Sequence, residues 1–401
     1  MKIGPFDLRV ERKLKVRRGT TLYVTFVSLV VALALGGIML ALTDHPPIGV
    51  YRELAKSAYF GWYSFTDTLG VATPLVFTGL AAAVAFKMKL YNIGAEGQLF
   101  VGGIASAWAG IALAPGMPGP LAVATVMLAG AIGGAAWAFI PALTRAYFNT
   151  SEIVTTLMFN FIGLYLMQYL IQGSYSYWRD PAIQGFPQGK EIATAARLPL
   201  WSFPSDAILG IAFPPGRTHV HIGLVFGVMV ALGLWVLIER TRFGYDVRVA
   251  GDSVAAARYA GIPIRRTIIT VMLISGALAG LAGAGIVAGQ GYKLDPGGLA
   301  LALGYTGIVI AALARSNPFA VVVVAVLLGG LRSGADSMQS APGNLKIPVA
   351  IAATLEGLVL LCALGSEIFR TNRIVVRRID PIGDSASFAT GETATPVVVA
   401  R

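Results

Sequence analysis

Apolar runs close to membrane-crossing length recur from Thr20 almost to the end of the chain, and that recurrence leaves few folds open. A bilayer core of roughly 30 Å takes about 20 apolar residues as a helix. Inside it every backbone polar group must find a partner within the protein, so the runs read as helices. Ten of them meet or approach the required length, at about 20–42, 68–86, 93–113, 120–141, 153–172, 220–238, 267–289, 300–314, 318–331 and 347–365. The spacing predicts an all-α, polytopic integral membrane protein of about ten transmembrane helices. The eighth and ninth runs are short and divided only by Arg315-Ser316-Asn317-Pro318, so two spans, one broken helix and a re-entrant pair all remain open. Composition agrees: 56% of the 401 residues are hydrophobic and 13% charged, against about 25% charged in soluble domains.

The net charge of +11 points to a membrane surface rather than to nucleic acid, because of where it lies. Lys2, Arg9, Arg12, Lys13, Lys15, Arg17 and Arg18 crowd the start. Arg240, Arg242, Arg248, Arg258, Arg265 and Arg266 fall between Glu239 and Arg266. Arg370, Arg373, Arg377 and Arg378 follow the last run. With an even number of spans these three groups share a side, and the positive-inside rule makes that side, and both termini, cytoplasmic. The expected layout is a basic cytoplasmic tail over 1–19, a transmembrane domain over 20–369 and a cytoplasmic C-terminal tail over 370–401, small and polar beyond Arg378. The loop at 173–219, rich in Pro and aromatics, reads as an ordered outer cap, and the loop at 239–266 as the principal inner one. The N-terminal run exceeds the length of a cleavable signal and is read as a retained first span. Cys362 is the single cysteine, so no intrachain disulfide or cysteine metal cluster is expected.

The inner loop spells out one short helix. Asp252 can cap its start, alanines fill it, Gly261 suits a left-handed C-terminal cap and Pro263 prevents continuation. At 1.5 Å per residue it spans roughly 13 Å, far too short to cross, and a capped surface helix suits docking into a partner's groove. Ala256-Ala257-x-x-x-Gly261 resembles the coupling motif of ABC importer permeases, with Ala255 where an acidic residue often stands. Thr241-x-Phe243-Gly244, Arg248-x-x-Gly251 and Gly261-Ile262 are similar to the branch carrying branched-chain amino acids, simple sugars and nucleosides. YNIGAEGQL, SEIVTTLMFNFI, GYTGIVIAALARSNP and LLGGLRSGADSMQ look most like its nucleoside and simple-sugar permeases, from about Thr68 to Ile368. Glu356 stands where that branch is expected to carry Gln.

The resemblance implies a permease subunit of an ATP-driven importer for nucleosides or simple sugars in a bacterial inner (plasma) membrane. Its expected partners are ABC ATPase subunits, a second related permease in a heterodimer, and an extracytoplasmic substrate-binding protein or lipoprotein. Asp252, Ala256, Ala257, Arg258 and Gly261 would receive the ATPase's motion. No G-x-x-x-x-G-K-[ST] occurs, so ATP and Mg are expected on the partners, with no cofactor or metal on this chain. The pair His219-x-His221 lacks further ligands at metal spacing. No H-E-x-x-H or G-x-S-x-G supports an enzyme.

YNIGAEGQLF sets Asn92, Glu96 and Gln98 among apolar runs. A carboxylate in lipid costs about 2.5–3.5 kcal/mol on the mildest scale, so these side chains should face inward. The candidates for a translocation path are Asn92, Glu96, Gln98, Asn160, Gln168 and Glu356; the structural alternative is a helix cap in which Glu96 pairs with Lys87 or Lys89. Small residues four apart, at Gly276/Gly280, Ala279/Gly283 and Gly285/Gly289, suit close helix packing or a moving helix. An ion-gradient-driven secondary transporter is the alternative function: it would use Glu96 or Glu356 as a proton relay but leaves the capped surface helix without a purpose.

Overall fold

The computed structural model describes residues 2–3, 6–12, 18–173, 177–183, 187–202, 217–348, 350–351, 353–355, 357–359, 361–362, 365 and 372–378. The chain divides into two compact units, Gly36–Leu360 and Met1–Leu35 with Leu361–Arg401. In order, the helices are α1 (Arg18–Leu42), α2 (Pro47–Tyr59), α3 (Trp62–Lys87), α4 (Ala95–Ala112), α5 (Gly119–Phe148), α6 (Glu152–Gln168), α7 (Gly223–Arg240), α8 (Arg242–Asp252), α9 (Val254–Tyr259), α10 (Ile264–Ile286), α11 (Pro296–Leu299), α12 (Leu303–Leu313) and α13 (Pro318–Ser337).

Among the described residues, seven helical stretches are long and apolar enough to cross a membrane, or eight if the bent pair Val30–Leu42 and Pro47–Tyr59, meeting at 118°, counts as one span. This mostly helical, polytopic architecture has fewer such stretches than the ten expected, for identifiable reasons. Glu96 and Gln98 in the first turns of α4 dilute an otherwise apolar 18-residue helix. The eighth run, by contrast, forms α12 and, with the turn α11 before it, counts among the seven as Pro296–Leu313 despite a break at Ala300–Ala302, where Ala302 adopts φ 57°. The ninth is the separate helix α13, capped by Asn317, whose side chain accepts from the amides of Phe319 and Ala320. Part of the tenth run, 347–365, lies outside the described residues.

Within Gly36–Leu360 the centre is α3 and α10, both buried along most of their length. An all-round apolar helix belongs inside a bundle, and here α10 lies against α5, α4 and α3, while α3 also meets α12 and α13. The texture of α10 explains the tight arrangement. A Cβ on Gly276 would lie 2.5 Å from that of Ala138, and one on Gly280 or Gly283 would overlap the carbonyl oxygens of Gly130 or Leu99. Small residues therefore bring backbone onto backbone, as the four-residue spacing suggested, at Gly276, Gly280 and Gly283. Gly285 differs, facing open space. By contrast α5, α6 and α7 expose rows of large apolar side chains, including Leu128, Ile132, Phe161 and Met229, as lipid-facing helices do.

Helix α2 was not among the expected elements. Pro47 fits its first position, Val50, Leu54 and Ala58 recur at four-residue spacing on its buried side, and Val50 and Leu54 pack with Leu40, Met338 and Ile347. Described parts of the 173–219 loop are tied to the segment that follows α10 and to each other. Gly189, Ile192 and Leu198 donate backbone hydrogen bonds to Leu294, Tyr292 and Ala288, and the short strands β3 (Leu200–Ser202) and β4 (Arg217–His221) pair antiparallel.

In the other unit the expectation of an all-α chain is corrected. Strand β1 (Lys2–Ile3) pairs with β2 (Phe6–Arg12), and β2 pairs antiparallel with β5 (Asn372–Arg378), in register from Phe6 with Arg378 to Arg12 with Asn372. The cause is local: FDLRVER alternates apolar and polar residues, and NRIVVRR carries the β-branched run Ile374, Val375 and Val376. The tail beyond Arg378 lies outside the described residues.

Candidate functional site

Between α3 and α4 the chain does not stay at the membrane edge but turns inward. Asn92 donates from Nδ2 to Ser275 Oγ at 2.8 Å, and that hydroxyl donates to the Ala81 carbonyl at 2.7 Å. Ala81 precedes Lys87, the end of α3, by six residues, so Asn92 sits roughly 9 Å inside the helix end. A segment without helical hydrogen bonds at that depth needs partners from the protein itself, and the polar residues of YNIGAEGQ supply them. Asn92 and Gln98 exchange amide hydrogen bonds of 2.9 and 3.1 Å, and Asn92 Oδ1 also accepts from the Gly94 amide. From α6, Asn160 reaches across, accepting from the Gly97 amide at 2.8 Å and donating to the Ile93 carbonyl and Tyr305 Oη.

Glu96 completes the cluster, though not by pairing with lysine. Its carboxylate accepts from the Gly304 amide at 2.6 Å, in the first turn of α12. The capping position of α12 is held by Ala302, which offers no side-chain acceptor. Glu96 therefore caps α12 from another helix, with its acceptor oxygens at the positive ends of both α4 and α12. Its neighbouring glycines are required by space: a Cβ on Gly97 would lie 2.8 Å from the Phe159 carbonyl oxygen and one on Gly94 2.9 Å from Thr156 Cβ.

Asn92, Glu96, Gln98 and Asn160 are thus brought together, each at most 4% exposed. Gln168, eight residues beyond Asn160 on α6, is apart from them, and Glu356 lies outside the described residues. Replacing Glu96 with Leu strands the Gly304 N–H, and a buried unsatisfied donor costs about 1–3 kcal/mol. The expected result is a melting temperature of the purified protein lowered by a few degrees, whereas Glu96→Gln, which keeps an acceptor, should recover most of the loss. Equal melting for wild type and Glu96→Leu would remove the capping role.

The second candidate region is at the Lys87 end of α3. Helix α8 begins at Thr241, whose hydroxyl accepts from the Gly244 amide at 3.2 Å. It ends at Asp252, which corrects the expected cap of α9: Ser253 Oγ accepts from the Ala256 amide, and Asp252 instead pairs with Lys89 at 3.3 Å. Gly261 has φ 71°, the left-handed cap expected of it, and donates to the Arg258 carbonyl. Along α9, Ala257 is fully buried while Val254, Ala255, Ala256, Arg258 and Tyr259 are exposed, Tyr259 at 97%. The two lysines that sequence reasoning had offered to Glu96 are anchors for this region. Lys87 pairs with Glu239 at 3.2 Å, and a Cβ on Gly251 would lie 2.5 Å from the Lys87 carbonyl. Their signal was the Lys-Met-Lys clip beside a helix end opposite an inner loop. Arg332 bonds the Leu301 carbonyl at 2.9 Å.

At the opposite end, a cavity of about 630 Å³ lies among Asp67, Gly70 and Val71 of α3, Gly289, Gln290 and Tyr292 beyond α10, and Ser333, Asp336 and Ser337 of α13. Beneath Gly289 the His221 ring is fully buried, its Nδ1 accepting from the Gly223 amide. Burial pushes its pKa down to about 4, so it stays neutral near pH 7.

Residues 64–364 match the family model described as the permease component of branched-chain amino acid transport systems. The chain is 30% identical over 391 residues to a glucose ABC transporter permease protein of Haloferax volcanii, covering 96% of this chain and 100% of that one. It is also 30% identical to a guanosine ABC transporter permease protein of Bacillus subtilis, over 88% of this chain and 96% of the relative, and to a nucleoside ABC transporter permease protein of Lactococcus lactis, over 79% and 84%. No solved structure matches. Buried central helices, lipid-facing outer ones and a polar seam inside the bundle accord with these relatives: the chain is a multi-pass membrane protein with a transport role and belongs to the ABC importer permeases of the branched-chain amino acid, sugar and nucleoside family.

Proposed function

We propose that this permease subunit carries nucleosides, with simple sugars the next choice, and is driven by ATP hydrolysed on separate ATPase subunits that dock on α9. One observation carries the coupling part. Helix α9 is capped at both ends, turned outward through Arg258 and Tyr259, and joined through α8 and the Lys89–Asp252 and Lys87–Glu239 pairs to the end of the central helix α3. A push on α9 reaches the bundle core by contact. Both termini are placed in the cytoplasm with α9. The pairing of β2 with β5 supports a shared side, and the basic residues of both tails and of the α7–α10 connection support that side being the inner one.

For the cargo, the guanosine and nucleoside permeases among the relatives support a nucleoside, and the glucose permease supports a sugar. The cavity at Asp67, Gln290 and Asp336 is the receiving end of the path, loaded by an extracytoplasmic binding protein over the 173–219 cap, and a second, related permease completes the pair. Asn92, Glu96, Gln98 and Asn160 then form the seam that the path must open or pass.

The test is uptake into proteoliposomes holding permease pair, ATPases and binding protein, with labelled nucleosides compared with labelled ribose. ATP-dependent nucleoside uptake is expected. Ribose uptake alone would keep the coupling and replace the cargo. Uptake that ignores ATP and collapses with an uncoupler would overturn both in favour of gradient-driven transport.

A further inference from the structure

Beside α9 lies a cavity of about 830 Å³, enclosed by the end of α5, the turn after it, α9 and the start of α10. Four arginines line it, Arg145, Arg258, Arg265 and Arg266, and no carboxylate does. Arg145 is held by Glu152 at 3.2 Å, and Arg265 lies over the Tyr147 ring at 5.2 Å. Arg258 and Arg266 make no ion pair among the described residues. Guanidinium groups gathered in one concavity repel one another unless an anion sits between them, and planar forks suit a phosphate's oxygens.

The rest of the wall decides which phosphate. Ile262, Ile264 and Ile268 contribute apolar surface, and Tyr147 is 57% exposed at the mouth. Helix α5 leads away from the cavity with Ile140, Phe139, Ile132, Leu128 and Leu121 exposed, an apolar track along a membrane-spanning helix. A free phosphate or an acidic protein side chain would use the arginines alone, whereas a lipid uses both the arginines and the lipid-facing side of α5 that adjoins them. We propose that the cavity binds the headgroup of an anionic phospholipid, with its acyl chains lying along α5. Basic pockets between helices at the membrane surface hold such headgroups. The lipid would bridge the end of α5 to the α9–α10 turn, so it would brace α9 against the bundle. This reading needs α5 to span the membrane and does not depend on the cargo.

The experiment uses the full chain, purified in mild detergent and stripped of lipid, then offered phosphatidylglycerol or phosphatidylcholine, with retained lipid measured by native mass spectrometry and stability by melting. Wild type should retain phosphatidylglycerol and melt several degrees higher with it, while phosphatidylcholine does neither. Arg265→Gln with Arg266→Gln should cut phosphatidylglycerol retention roughly ten-fold or more. The Arg265→Lys, Arg266→Lys pair should restore most of it, which separates lost charge from a misfolded chain. Arg240→Gln, outside the cavity, should change nothing. Equal retention of both lipids, or undiminished phosphatidylglycerol on the glutamine pair, would overturn the proposal. Stabilisation by inorganic phosphate equal to that by lipid would make this a simple anion site. Loss of ATPase association with lipid retention unchanged would make it a protein contact instead.

Discussion

Gly280→Val will leave little or no folded protein in the membrane. In α10 this residue meets α5 and α4 at once. A Cβ here would overlap the Gly130 carbonyl oxygen and lie 3.0 Å from Gly134 Cα, and a Cβ on Gly102 would in turn overlap Gly280 Cα. Inserting methyl groups into a packed core costs typically 1–3 kcal/mol when neighbouring side chains can move aside. Here the obstacle is backbone on both sides, which has no rotamer to yield, so separating three helices is the only relief. In lipid, close packing supplies much of what holds helices together, and the lost contacts are not replaced by a hydrophobic gain. The comparison is Gly285→Ala on the same helix, where an added Cβ meets nothing within 4 Å. It should melt at or slightly above wild type, because alanine is the better helix former. The amount of monodisperse protein extracted from membranes, and its melting point, measure both. Wild-type behaviour of Gly280→Val would refute the backbone contact.

The contrast between those two glycines marks what the chain's text reveals and what it hides. Membrane class, the boundaries of α7 and α10 to within three residues, one end each of α3 and α5, and a small-residue helix were legible, because apolar length and four-residue spacing are local signals; the start of α3 at Trp62 and the end of α5 at Phe148 lie six and seven residues beyond the apolar runs. Which small residues touch was not, since Gly280 and Gly285 read alike until α5 and α4 are in place. The same holds for YNIGAEGQ. Its polar residues announced an inward-facing segment, but Glu96's true partner is an amide 208 positions away on α12, and no local pattern encodes that. Helix α2 was hidden by its short length and by Arg52, Glu53 and Lys56, which keep it from reading as an apolar run. Asp252 was preferred to Ser253 as a cap because either residue type serves, and only the end of α8 decides between them. The strands at the two ends were overlooked because their basic residues invited a reading by charge alone, though their alternation was present.

Gly261→Pro should abolish ATP-driven uptake while leaving the membrane bundle intact. Three backbone hydrogen bonds close α9: Ala260 to the Ala256 carbonyl, Gly261 to Arg258 and Ile262 to Ala257, each of 3.0–3.1 Å. The last two need Gly261 at its φ of 71°. Proline is confined near −65° and has no N–H to donate, so the turn would have to open and α9, with only six residues, would lose its end. Only Ala257 of that helix is buried, so melting of the bundle should change little. Uptake in the complete reconstituted system should fall roughly ten-fold or more, the size of effect expected when an interaction of about 1.4 kcal/mol or more in the driving step is removed. Gly261→Asn, which tolerates the left-handed conformation, should retain most activity, so the series reads cap geometry rather than bulk. The informative pairing is uptake with stability. Lost uptake with unchanged melting makes α9 a transmitter, acting on the core through α8, the lysines at the end of α3 and its own contact with α10. Lost uptake with collapsed melting would make it a structural strut, and unchanged uptake would move the coupling away from this loop.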